Sequence, residues 1–296
     1  MNTQVQVIIV NYKTASLTIE CVESLLAFTT PDVITIVDNS ECDQEVKSLL
    51  TFFNINENSV HQENQWVRTI NDITLELIVS SKNLGFGGGC NIGVFKTMFP
   101  QKYLWFLNSD CLLFNDALTP LLTILQKHNG FKLISSIIAD PPTKKNFTEL
   151  ELNIQVSGVK NFLGLFFNTK SNSKIYSNDY LPSDFIYGAS FLLSREDYIM
   201  VNGFDESYFM YLEETDLAFR IKKASRKECC FSSKSIVLHH KGSSRLDTNK
   251  QSLITNNYLK FIKKNYEGIQ LFFGYIWYFL KILKNRFNKH EAYNIF

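Results

Sequence analysis

Val5-Gln6-Val7-Ile8-Ile9-Val10-Asn11-Tyr12-Lys13-Thr14 is the stretch on which the fold turns. A short, nearly continuous apolar run of this kind suits a strand buried on both faces of a parallel sheet. The polar turn that follows it stands where such sheets bind ligands, outside the carboxyl ends of the strands. A helix then starts at Thr14 or Ser16, both good caps, with Leu17, Cys21, Leu25 and Phe28 at helical spacing. Pro31-Asp32 breaks the chain, and Val33 to Val37 forms a second strand ending in Asp38-Asn39-Ser40. Strand, helix, strand predicts a right-handed parallel unit.

The pattern continues downstream. Ile73 to Val79, Tyr103 to Leu107, Leu133 to Ile138, Phe185 to Leu193 and Ser235 to His239 read as strands. Asn91 to Phe99 and Asp116 to His128 read as helices. Ser194 caps a further short helix, with Asp197 three residues on and Gly203 as its stop. Another helix runs from Glu213, with Asp216 and Arg220 spaced to pair. Residues 41–72 read as polar and irregular apart from a short helix near Val46 to Phe53, and 140–182 as turns mixed with apolar runs. The class expected is α/β: a Rossmann-like, open, mostly parallel sheet flanked by helices, residues 1–248, with a C-terminal helical extension over 249–296.

Bulk properties narrow the function. A chain of 296 residues, 45% hydrophobic and 20% charged, builds a packed core. A formal net charge of +1 argues against a dedicated nucleic-acid binder. No secretory signal is read at the N-terminus. The cysteines, Cys21, Cys42, Cys90, Cys111, Cys229 and Cys230, have spacings that suit neither zinc nor a disulfide framework. Reduced thiols and a cytoplasmic protein are expected.

Four constellations could carry chemistry. Asp110, in the turn Asn108-Ser109-Asp110 after an apolar strand, offers a hard oxygen ligand for Mg²⁺ or Mn²⁺; an Asx-turn or helix cap accounts for it as well. Glu213-Glu214-Thr215-Asp216 places acids in a first helical turn, where they complement the helix dipole and where one could serve as a general base. His239-His240 before Lys241-Gly242-Ser243-Ser244 could complete a metal site with Asp110 or simply hydrogen-bond. The glycines at 85 to 89 lack the spacing of a dinucleotide fingerprint, and no phosphate-loop Lys-Ser/Thr follows them. They suit a tight loop passing close to a ligand.

In this order the segments resemble a family 2 inverting glycosyltransferase of the GT-A fold, in its bacterial rhamnosyltransferase-like branch. The matching pieces are Val7 to Tyr12, Val37 to Ser40, Asn83 to Phe86 with Asn91 to Gly93, Leu107 to Asp110, Gly188-Ala189, Gly203 to Glu206, Phe209 to Leu217 and His239 to Ser244. The resemblance implies a nucleotide-binding half over about 1–110 and an acceptor half over about 111–248. It implies that Asn11, Asp38, Asn39, Asn83, Gly88 and Asn108 hold the nucleotide, that Asp110 and His239 hold a divalent metal (Mg²⁺ or Mn²⁺), and that Glu214 is the base. Asn108 replaces an aspartate of the family pattern, and Glu214 replaces another. Glu213 and Asp216 therefore stay in contention for the proton, as His240 does for the metal.

The activity implied is transfer of rhamnose from dTDP-rhamnose to a saccharide or lipid-linked glycan acceptor, in bacterial cell-surface polysaccharide or O-antigen synthesis. UDP-galactose or another UDP-sugar is the alternative donor. A catalytically degenerate glycan- or nucleotide-binding protein is the non-enzyme alternative. A nucleotidyltransferase is disfavoured, because it would carry a glycine-rich, basic loop where Asn11-Tyr12-Lys13-Thr14 stands. Ile269 to Leu283 is apolar and followed by Lys284, Arg286 and Lys289. At roughly 15 residues it is short of the ~20 that span a bilayer. It suits peripheral contact with the inner face of the cell membrane, a homodimer contact or a buried helix.

Overall fold

The computed structural model describes residues 3–54, 60–62, 64–141, 157–162, 165–170, 178–240 and 250–287. Lys241 to Ser244, residues 288–296 and most of 142–177 lie outside that set.

β1 (Val5–Asn11) is buried along its whole length. Successive strand side chains point to opposite faces. Val5, Val7 and Ile9 accordingly enter one apolar cluster, while Ile8 and Val10 enter another. α1 (Ala15–Phe28) covers the first face with Cys21, Val22 and Leu25 and returns the chain to β2 (Val33–Asp38). β2 runs parallel to β1 in a register that sets Asn11 beside Asp38 at the carboxyl edge.

α2 (Asp43–Phe52) starts three residues before the expected Val46. β3 (Val60–Gln62) and β4 (Gln65–Ile70) then build an antiparallel edge where irregular chain was expected. β4 is hard to read because its buried end is polar. Gln65 is covered and donates to Glu76 at 2.6 Å, so a hydrogen bond replaces the apolar contact that patterning detects. Asn71 and Asp72 both have positive φ and turn β4 tightly into β5 (Ile73–Val79), the backbone that two-residue hairpins use.

α3 (Gly85–Phe95) begins at Gly85, so the glycines expected to form a loop lie inside a helix. They permit close approach. A Cβ on Gly89 would meet Val10 at 2.8 Å, and one on Gly93 would meet Ile8 at 2.8 Å. α3 therefore lies tight against β1, on the face opposite α1.

β6 (Tyr103–Leu107) pairs parallel with β1. There follow β7 (Cys111–Leu112), α4 (Leu118–Lys127), β8 (Phe131–Ala139), a separate hairpin of β9 (Ser157–Phe162) and β10 (Leu165–Lys170), and β11 (Tyr180–Ser183). β12 (Ser190–Ser194) begins five residues after the expected Phe185, because a bend and turn occupy 184–189. α5 (Arg195–Met200) is capped by Ser194, whose side chain accepts from the Asp197 N–H. α6 (Glu213–Ser225) leads to β13 (Glu228–His239), a strand of 12 residues where a short one was expected. α7 (Lys250–Asn265) and α8 (Gly268–Phe287) complete the described chain.

The sheet runs β11-β13-β8-β12-β6-β1-β2-β5-β4-β3, with β7 paired to β13. It is mixed. β6, β1, β2 and β5 form the expected parallel block. β12 is antiparallel to both its neighbours, β6 and β8. That insertion brings the turn at 188–189 to the carboxyl end of β6, next to Asn108.

Candidate active site

At the ends of β1 and β2 the sequence-selected residues meet in one network. Asn11 is fully buried, and its Nδ2 lies within hydrogen-bond reach of Asp38 Oδ1 (2.6 Å), Ser40 Oγ (3.2 Å) and Glu45 Oε2 (3.1 Å). Its Oδ1 accepts from the hydroxyls of Thr14 and Thr18. Asn11 therefore orients Asp38 with all its polar atoms engaged. Asp38 is fully buried, and its Oδ2 has no partner among the described residues. Burial raises its carboxyl above the ordinary range against the lowering effect of the Asn11 and Ser40 hydrogen bonds. Glu45, absent from the sequence selection, also accepts from the Ala15 N–H at 2.8 Å and so caps α1 from outside that helix.

Asn39 likewise works on the chain rather than facing solvent. Its Nδ2 donates to Asn83 Oδ1 and to the Gly85 carbonyl, both at 3.0 Å, and its Oδ1 accepts from the Leu84 N–H. Asn39 and Asn83 thus form the turn that starts α3. Gly88 is buried within α3, where a Cβ would sit 2.6 Å from the Leu84 Cβ. Gly85 combines a φ of +73° with direct contact on the Phe209 carbonyl, which a Cβ would overlap. The turn and the segment before α6 are thereby locked together.

The second group gathers on β7 and β13. Their antiparallel register sets His239 opposite Cys111, one residue from Asp110. His239 Nε2 lies 3.0 Å from Asp110 Oδ1 and 3.3 Å from Asn108 Nδ2. Strand alternation assigns His240 the other direction; its backbone N–H donates to the Asp110 carbonyl at 3.0 Å. Of the two histidines, His239 is the one whose ring joins Asp110. Asp110, Cys111 and His239 are close enough to share a cation. Burial holds the Cys111 thiol far above its ordinary pKa, and it donates to the Ala189 carbonyl, so it is a protonated core group. The carboxylate and imidazole that remain are oxygen and nitrogen donors, which suit Mg²⁺ or Mn²⁺. The donor set fits the expected metal.

The third group is the acidic start of α6. Tyr211 and Leu212 have φ of +72° and +71°, two successive left-handed residues without a glycine. Backbone of this kind persists only where its surroundings over-determine it. Asn257 from α7 does so, donating to the carbonyls of Met210 at 2.8 Å and Tyr211 at 2.9 Å. No periodic or motif signal marks Asn257.

The three acids of this turn have different surroundings. Asp216 is fully buried and accepts from Arg220, Lys264 and Asn265, which ties α6 to α7. The expected Asp216–Arg220 pair is present at 2.6 Å. Glu213 is buried with Oε2 unpartnered, and burial plus the Glu214 charge raise it well above the carboxylate range. Glu214 is partly exposed, and burial of its carboxyl pushes it up to about 7. Its side chain packs on Gly188, where a Cβ would lie 3.4 Å from its Cγ. The adjoining Ala189 carbonyl accepts from the Asn108 N–H at 2.9 Å. The turn at 188–189 therefore links the Glu214 and Asp110 groups, which lie far apart in sequence.

An open, mixed α/β sheet flanked by helices, with its polar turns and an Asp–His pair at the strand ends, is the fold of GT-A glycosyltransferases. Residues 6–199 match the profile of glycosyl transferase family 2, and the chain belongs to that family. It is similar to rhamnosyltransferase WbbL of Escherichia coli K12, 27% identical over 153 residues, covering 49% of this chain and 57% of that protein. It is also similar to the N-acetylglucosaminyl-diphospho-decaprenol L-rhamnosyltransferase of Mycobacterium tuberculosis, 41% identical over 63 residues, 21% of this chain and 20% of that one. The chain thus aligns to just over half the length of the first relative and a fifth of the second. GalNAc-T7 with UDP, GalNAc and Mn²⁺ shares the fold at a TM-score of 0.61 and 13% identity, over 88% of this chain and 48% of that one.

Proposed function

We propose that this protein is an inverting glycosyltransferase that moves a sugar from a nucleoside diphosphate donor to a hydroxyl of a saccharide or lipid-linked glycan. The observation that carries the reading is the pairing of Asp110 with His239 at 3.0 Å, with Glu214 across the turn at 188–189. Rhamnose from dTDP-rhamnose is the favoured donor, since both relatives are named rhamnosyltransferases. UDP-galactose and other UDP-sugars are the competing donors. We place the reaction in the cytoplasm, in bacterial cell-surface polysaccharide synthesis.

Asp110 and His239 would hold the divalent metal. When bound, such an ion neutralises charge on the departing nucleoside diphosphate. Asp38, oriented by Asn11 and Ser40, is assigned to the nucleoside; its unpaired Oδ2 is buried, so the turn at 38–40 must shift for the nucleoside to reach it. Asn39 and Asn83 shape the adjoining turn and so position the nucleotide indirectly. Glu214 takes the proton of the acceptor hydroxyl as that oxygen attacks the anomeric carbon from the face opposite the leaving group, which inverts configuration. A pKa near 7 suits the task, because about half of the group is ionised at neutral pH and the carboxylate is a stronger base than an ordinary one.

A thermal-shift panel of dTDP, UDP, GDP and ADP, with and without Mn²⁺, tests the assignment. A metal-dependent shift selective for dTDP supports rhamnose, and one selective for UDP moves the donor to a UDP-sugar. No shift with any nucleotide sinks the reading.

A further inference from the structure

α8 carries an apolar face that the rest of the described chain does not cover. Of the twelve large apolar side chains exposed among the described residues, six lie on this helix: Ile269, Phe272, Ile276, Phe279, Leu280 and Leu283. Phe272 and Phe279 are each 61% exposed. At 100° per residue the six fall within an arc of about 100°, one continuous stripe. The opposite side of α8 is occupied: Gly274 lies against Ile262 of α7 and Tyr266 just after it, and Leu271, Trp277 and Tyr278 pack on the core. The stripe is thus the outward face of a docked helix.

We propose that this stripe is a docking surface for an anionic lipid bilayer, on which α8 lies flat. No helix among the described residues is long and apolar enough to cross a membrane, so the stripe is suited to the interface. Charge decides between a bilayer and a second copy of the chain. Residues 250–296 contain eight Lys and Arg against two acidic residues, Glu267 and Glu291, and still seven against two once Lys264, which pairs with Asp205 and Asp216, is set aside, while the whole chain is nearly balanced at 30 against 29. Pairing two such segments through α8 would bring like charges together, whereas an anionic headgroup layer attracts them. Tyr275 occupies a helical position bordering the stripe, and such amphipathic rings favour the headgroup level. α7, which packs against α8, also carries Asn257, which holds the turn before Glu214.

Vesicle flotation of the full chain tests this independently of sugar transfer. The wild type is expected to float with vesicles of phosphatidylglycerol and phosphatidylcholine, and far less with phosphatidylcholine alone. A Phe272→Glu, Phe279→Glu variant is expected to lose binding by more than about tenfold, equivalent to about 1.4 kcal/mol, with its melting temperature unchanged. Wild type that stays unbound, or a variant that floats equally well, overturns the proposal. So does light scattering that shows a dimer which the variant splits, without vesicle binding; the second copy would then be the occupant. None of these results bears on nucleotide binding, so the transfer reading stands or falls separately.

Discussion

Asn257 Nδ2 donates to the Tyr211 carbonyl at 2.9 Å and so holds a left-handed residue two positions before the acidic start of α6. The same nitrogen reaches the Met210 carbonyl at 2.8 Å. Asn257→Ala removes both bonds and leaves two carbonyls to find other partners, a loss of about 1–3 kcal/mol. Asn257→Asp should rescue nothing, because a carboxylate cannot donate. Melting temperature and turnover are expected to fall in both variants. An Asp variant with wild-type turnover would show that the turn holds without the amide.

The raised carboxyls at 213 and 214 set a pH dependence. The ordinary glutamate value is 4.5, and burial raises Glu214 to about 7. A group raised in the folded state contributes stability that is complete below its unfolded value and is lost as pH rises through the folded one. Stability from Glu214 therefore declines between about pH 4.5 and 7, and that from the still more strongly raised Glu213 is lost as pH climbs above the ordinary glutamate range, so Glu213→Gln should raise the melting temperature more at pH 8 than at pH 5. Transfer runs the opposite way, rising as Glu214 ionises through about pH 7. Thermal melts and a kcat–pH profile read the two trends; parallel trends would contradict the assignment.

Glu214→Gln should abolish transfer without lowering the melting temperature. Asp216→Asn should instead destabilise the protein, because three donors from Arg220, Lys264 and Asn265 converge on that buried carboxylate. Removing one partner of such a buried network typically costs about 3–5 kcal/mol. Turnover per folded molecule separates the two: it vanishes in the first variant and persists in the second. The reverse pattern would make Asp216 the base.

His239→Ala should raise the Mn²⁺ concentration needed for half-maximal activity, and Asp110→Ala should eliminate activity at any Mn²⁺ concentration. His240→Ala is expected to leave the Mn²⁺ curve unmoved, since only its backbone N–H meets Asp110. A Mn²⁺ titration that shifts for His240→Ala and not for His239→Ala would reverse the choice.

Gly85→Ala and Gly188→Ala should part company. The first overlaps the Phe209 carbonyl at a positive φ, and misfolding is expected. The second places its Cβ 3.4–3.6 Å from the Glu214 side chain, an ordinary contact that displaces nothing, so fold and turnover should both survive. Circular dichroism and kcat together check the pair.

Much of this architecture could be read along the chain. The run from Val5 to Val10 is apolar at every position but Gln6, so both faces of that strand had to be covered, which predicts a layered α/β sheet. Asp38 and Asp110 could be selected because strand ends have local signatures; the acidic run from Glu213 and the pair His239-His240 were legible too, but only the family resemblance pointed to Glu214 and His239 within them. β4 could not be read that way, because Gln65 is satisfied by Glu76 across the sheet rather than by a pattern in its own segment. The helical glycines were equally opaque, since their purpose is the approach of α3 to Ile8 and Val10.

Local order along the chain thus determined the layered fold and the types of residue placed at its strand ends. Tertiary structure alone decided their partners. The β7–β13 register put the ring of His239, rather than that of His240, beside Asp110. α7 claimed Asp216 for packing and, through Asn257, held the turn before Glu214. The physical reason is range: strand and helix periodicities are set by neighbours a few residues apart, whereas a buried polar group is satisfied by whichever donor the packed chain brings within about 3 Å.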